Sequence, residues 1–216
     1  MKAILLSIRP EWLVKILNGE KTIEVRKLFP KDYVGWVYLY CSKSNTQYLV
    51  GSKTQKCEII TKSANAIFSP NIDKYTGNGK VVARFWCDKV EEMRFEDNGG
   101  FYETALQRYE DSEYFTDSLI EEEICEKSCL ECYELEEYLK GKKGFAIHIS
   151  DLEIFDKPRE LSEFYKGFRN KYYKREFGID THIDKYGVMV QPTKNGYEYT
   201  HKLTKAPQNY CYIEGE

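Results

Sequence analysis

Gly19, Lys21, Glu24 and Arg26 fall within eight positions of one another, and their types suit a common ligand. Arg26 offers a planar fork of donors matched to a phosphate or a base carbonyl. Glu24, when ionised, only accepts hydrogen bonds, so it can take an exocyclic amine of cytosine, adenine or guanine. Lys21 can meet a phosphate, or act as a base if desolvation or a nearby cation lowers its pKa. Trp12, Trp36, Tyr40 and Trp86 are candidates to stack on a base. The ligand-binding set is therefore Lys21, Glu24, Arg26, Arg9, Trp12 and Tyr40. The plainer alternative is a strand-surface ion pair between Glu24 and Arg26, worth under ~1 kcal/mol.

The segment that must position them is SIRPEWLVKILNGEKTIEVRK, 7–27, which reads as strand, helix, turn, strand. Pro10 suits a first helical turn, where a missing N–H costs nothing. Leu13, Ile16 and Leu17 recur at helical spacing, and Gly19 supplies the left-handed stop. Then Ile23 and Val25 alternate with Thr22, Glu24 and Arg26, the period of a half-buried strand. Function requires Lys21, Glu24 and Arg26 to point into one hollow.

Around this unit the chain is rich in strands. Residues 3–8, 35–41 and 80–90 read as strands, the last as a central one. Residues 47–50 and 57–61 read as a hairpin, and 63–78 as a loop ending in a Thr-Gly-Asn-Gly turn. Between 91 and 126, Tyr102, Ala105, Leu106 and Tyr109 fit one helical face, and Leu119, Ile120 and Ile124 a second. A further helix begins with Ser128 as N-cap and Glu131 three residues on, burying Cys132, Leu135, Tyr138 and Leu139 until Gly141. Residues 144–150 form a strand that continues over 152–155 past a kink, with Pro158 as a break. Residues 164–180 interleave basic and aromatic side chains, as in a nucleic-acid contact or an ordinary amphipathic surface. A hairpin over 188–200 and a strand over 210–213 close the chain. Strands at both ends and helices between imply an α+β fold, a mixed closed barrel with helices over its ends. A single domain over 1–216 is expected, with an acidic helical insertion near 91–140.

Charge follows the same division. Lys and Arg against Asp and Glu number 14 and 6 over residues 1–84, 5 and 18 over 85–140, and 13 and 11 over 141–216. The bulk charge of −3 argues against a non-specific nucleic-acid binder but leaves room for a basic face beside an acidic flank. That flank is either a solvated surface or the contact face of a protein-interaction module, phage-encoded or bacterial. No apolar run is long enough for a membrane-spanning helix. Seven cysteines, an odd number, with no signal-peptide cleavage site, point to a cytoplasmic protein without a disulfide framework. Cys125, Cys129 and Cys132 would need a distant fourth ligand for zinc, so no metal site and no cofactor are expected.

The Gly-x-Lys-x-x-Glu-x-Arg pattern at Gly19, Lys21, Glu24 and Arg26 resembles the hallmark of ASCH domains, members of the PUA-like superfamily. The segments GKVVARFWCDKV, SCLECYELEEYL, GFAIHISDLEIFDKPRELSEF and APQNYCYIE are similar, in order, to parts of longer ASCH proteins from bacteria and phages. The resemblance implies a PUA-like β-barrel with a cleft beside the first helix, and RNA or a nucleotide-like partner. It also implies an enzyme alternative, a small hydrolase. In amidohydrolases of this type that act on acetylcytidine, a lysine activates a threonine. Lys21 matches the lysine, Glu24 stands at the threonine's position, and Thr22 is two residues out of place, so catalysis would fall to Lys21 and Glu24. Ribonuclease activity is the other enzymatic possibility, with His148 as a candidate acid or base against a structural role.

Overall fold

Residues 2–61, 74–95, 101–103, 123–166, 190–193, 196–199 and 203–214 are described by the structure, a computed structural model. Its backbone is a five-stranded sheet built on β1 (Lys2–Ile8). Strand β1 pairs in parallel with β3 (Gly35–Cys41) and antiparallel with β14 (Tyr210–Glu214). Beyond β3 lie β7 (Lys80–Cys87) and the edge strand β11 (Ser150–Glu160), both antiparallel to their neighbours. A parallel pair needs a crossover. Here the crossover contains α1 (Pro10–Leu17) and β2 (Ile23–Arg26), the unit that carries the charged motif.

Strand β2 does not join that sheet. It forms the edge of a second, antiparallel sheet, next to β10 (Gly144–His148), then β8 (Val90–Phe95) and β9 (Phe101–Glu103). Two smaller sheets are β5 (Glu58–Thr61), β4 (Gln47–Gly51) and β6 (Tyr75–Thr76), and the hairpin of β12 (Val190–Thr193) with β13 (Gly196–Tyr199). The protein is thus α+β with mixed sheets, but the described strands form four separate sheets and not one closed barrel.

Among the described residues, three apolar clusters hold these layers. The largest lies between the two main sheets and takes Leu13, Ile16 and Leu17 of α1, Ile4, Leu6 and Ile8 of β1, and Phe145 and Ile147 of β10. Each such buried side chain contributes roughly 1.5–3 kcal/mol. A second cluster sets Ile23, Val25 and Ala146 against two helices, α2, whose described part is 123–128, and α3 (Cys132–Leu139). The third covers the other face of the five-stranded sheet with Phe164 and Leu203.

Several local expectations are corrected. Helix α3 is capped by Glu131, whose box partner is Glu134, while Ser128 ends α2 and donates to Cys125 O at 3.2 Å. Residues 91–95 and 101–103 are strands, so Tyr102 is not helical; Ala105, Leu106, Tyr109, Leu119 and Ile120 lie outside the described residues. Glu91 and Glu92 read as surface acids, yet both are buried on β8, where Lys89 pairs with Glu91, His148 Nε2 stands 3.0 Å from the same carboxylate, and Lys143 lies 4.0 Å from Glu92. Pro158 does not break the chain: β11 passes through it with a register shift between Ile154 and Arg159, which an edge strand tolerates. The loop expected over 63–78 contains strand β6, with 62–73 outside the described residues. Of the basic-aromatic segment, 167–180 also lies outside them.

Candidate functional site

The turn after α1 aims Lys21 inward. Gly19 adopts φ +73° with open space at its missing Cβ, so the backbone conformation, not crowding, calls for glycine. Gly19 N donates to Ile16 O at 2.9 Å, and the Glu20 and Lys21 amides both donate to Lys15 O. Thr22 then bonds in both directions, its N–H to Lys127 O and its carbonyl from Ile149 N, each at 2.9 Å. That fixes the start of β2 between α2 and β10.

Pairing with β10 decides which way the charges face. Arg26 lies opposite Phe145 and Glu24 opposite Ile147, so both charges share the side that looks into the space between the main sheets. Ile23 and Val25 face the helices instead. Lys21 is 3% exposed and Glu24 6%. The Lys21 ammonium donates to Ser128 O at 2.6 Å and stands 3.4 Å from Glu24 Oε2. Glu24 Oε1 lies 2.9 Å from Arg26 Nε, off the hydrogen-bonding line, so that buried N–H attracts the carboxylate without being satisfied by it. Arg26 Nη2 crosses to the other sheet and donates to Ser7 O at 2.6 Å. Burial, the largest influence, lowers the Lys21 pKa from 10.5, with Glu24 opposing. Two cations around one carboxylate leave the triad with one net positive charge.

The triad floors a cavity of about 720 Å³, within the range of small-ligand sites. Arg9, Trp12 and Tyr40 line it as well, so the structure brings all six residues of the expected set to one hollow. Trp12 lies beside the floor, its ring centroid 5.6 Å from the Lys21 ammonium. Sequence reasoning missed the opposite wall. Tyr138 of α3 lines the cavity and is 38% exposed, where helical periodicity assigned it to a buried face. Ser7 and residues 206–209 were also missed; Ser7 donates to Pro207 O at 2.7 Å and binds Asn209 O through its N–H. No local pattern marks the chain's last loop as part of a site made by its first helix. The β1–β14 pairing brings them together.

Other candidates lie elsewhere. Trp36 and Trp86 pack edge to face at 5.4 Å away from the cavity, with Arg84 4.3 Å above Trp36. Thr22 is exposed and does not line the cavity. His148 Nε2 is 3.0 Å from Glu91 Oε2, a structural contact on the second sheet; desolvation and then Lys89 lower its pKa. The seven cysteines are free, and no cluster fit for a metal ion occurs among the described residues. Glu123 pairs with Lys127, while Glu121 and Glu122 lie outside the described residues.

No family model and no curated protein matches the chain. Among solved structures it is similar to the crystal structure of ASCH from Zymomonas mobilis, at 15% identity and a TM-score of 0.40, covering 74% of this chain and 73% of that one. Two mutant structures of the same protein match at 15% identity, with TM-scores of 0.40 and 0.39; they cover 77% and 74% of those chains. Likeness at this level does not bear on the chemistry of the cavity.

Proposed function

We propose that the chain is a nucleotide- or RNA-binding protein and that this cavity takes one nucleobase with its phosphate. The observation that carries the reading is the Lys21–Glu24–Arg26 triad, with Lys21 and Glu24 buried and Arg26 partly so, at the floor of a hollow flanked by Trp12, Tyr40 and Tyr138. Fixed charges in a partly desolvated site act more strongly than the same charges in water. The net positive floor, with Arg9 and Lys43 at the margin, favours an anion. The aromatic walls favour a flat, polarisable group. Glu24 keeps lone pairs beyond those facing Lys21 and Arg26 and can accept from an exocyclic amine.

One observation favours a hydrolase as the second reading: the lowered pKa of Lys21, which moves its amine toward base character. That amine is already committed to Ser128 O and Glu24. A hydrolase would have to use a water activated by Glu24. Calorimetric titration with the four nucleoside monophosphates tests binding; no heat from any of them refutes it. Incubation with acetylcytidine and with RNA tests turnover; the absence of acetate, cytidine and cleavage rejects the hydrolase. A pull-down whose partner is lost on neutralising Glu121, Glu122 and Glu123 would favour an interaction module instead.

A further inference from the structure

A second cavity of about 430 Å³ adjoins the first and shares Arg9, Ser42 and Lys43 with it. The two hollows therefore meet over one sill. Their linings differ in kind. The first has three aromatic rings and a buried ionic floor. The second adds Pro10, Glu11, Ser44, Thr46 and Gln47, with no aromatic ring and no aliphatic side chain beyond Pro10 among the described residues. Hydroxyls and an amide beside two cations suit sugar oxygens and a phosphate, not the face of a base.

The charge is also modest. Arg9 is 77% exposed and only 3.9 Å from Glu11, a loose pair open to competition by a ligand. Lys43 has no carboxylate partner among the described residues. Two cations and one carboxylate balance a single phosphodiester, whereas a triphosphate brings several negative charges.

We infer that the second cavity holds the sugar-phosphate of an adjoining nucleotide, so that the ligand is a single strand and not a free nucleotide. This rests on the proposed nucleobase role of the first cavity. The strand enters with one base against Trp12 and the triad, crosses the sill at Arg9, Ser42 and Lys43, and leaves past Ser44 and Thr46.

The test compares four RNA homotrinucleotides with the matching nucleoside monophosphates and triphosphates, by calorimetry, on the wild-type chain and on Thr46→Glu and Thr46→Lys. Thr46 is exposed and lines the second cavity but not the first. At least one trinucleotide is expected to bind 10-fold or more tighter than both its monophosphate and its triphosphate (~10-fold per 1.4 kcal/mol). Thr46→Glu should weaken that trinucleotide about 5-fold or more, and Thr46→Lys should tighten it, with the monophosphate unchanged in both. Monophosphates that bind while trinucleotides gain nothing overturn this inference alone. A triphosphate that matches the trinucleotide overturns it in favour of a free nucleotide. No binding by any of them removes the first cavity's role and this inference together.

Discussion

Replacing Glu24 by Gln removes the carboxylate that holds the buried Lys21 ammonium and the partly buried Arg26 guanidinium. At an effective dielectric of about 20, unit charges at the 3.4 Å and 2.9 Å separations from Lys21 and Arg26 attract by roughly 5 and 6 kcal/mol respectively. Desolvation has already offset much of that. What the substitution exposes is the cost of leaving buried charge unpaired, ~3–5 kcal/mol. In a 216-residue chain each kcal/mol lowers Tm by ~2–4 °C, so Glu24→Gln should melt ~6–20 °C lower. Urea unfolding monitored by circular dichroism measures the same quantity with its slope. Arg26→Gln and the double variant complete a cycle, and a coupling of ~1–3 kcal/mol is expected for groups in contact. Glu123→Gln is the control, because its pair with Lys127 is about half exposed on both sides and should contribute ~0–1 kcal/mol. If Glu24→Gln costs no more than Glu123→Gln, a fixed ionic floor is refuted, and with it the preorganised site.

Trp12→Ala should weaken mononucleotide binding ~5- to 150-fold, the ~1–3 kcal/mol of one stacked base, while Trp86→Ala, outside the cavity, leaves it unchanged; both are read by calorimetric titration. His148 has its pKa lowered from 6.5, so between pH 6.5 and that lower value the unfolded chain binds a proton that the folded chain does not. Stability contributed there is present above pH 6.5 and lost as pH falls through the window, and His148→Gln should flatten the melting profile over it. Alkylation followed by mass spectrometry should modify Cys129 and Cys132 first. Cys41 and Cys87 are buried, with pKa values pushed up to about 12, and should react only on unfolding.

The legible parts of the chain were those whose signals are local. Pro10 and Gly19 bracket α1 as their backbone preferences require. The β4–β5 hairpin and the β12–β13 hairpin sit close to where alternation and turn residues put them. Where charge carried the signal, local reading failed. Val90–Phe95 carries Glu91, Glu92 and Arg94, and its acids resemble a solvated helix face until Lys89, immediately before the strand, and Lys143, immediately before β10, are set against them. The cap of α3 moved three residues because Glu131 and Glu134 form the same reciprocal box as the one expected from Ser128.

The order of residues alone places an acid and two bases at fixed spacing just past a helix stop, on a strand whose other face is apolar. It could not determine whether that polar face meets water or protein, because alternation defines two sides and not what covers them. Tertiary structure decided it. Strand β2 pairs with β10 in the second sheet, so Glu24 and Arg26 face the gap between sheets, and Arg26 bonds across that gap to Ser7 O. Lys21 is buried by a carbonyl more than a hundred residues further along the chain, and Tyr138 and residues 206–209 complete the hollow from segments farther along still. Contacts of that separation depend on how sheets stack, which no short stretch of sequence encodes.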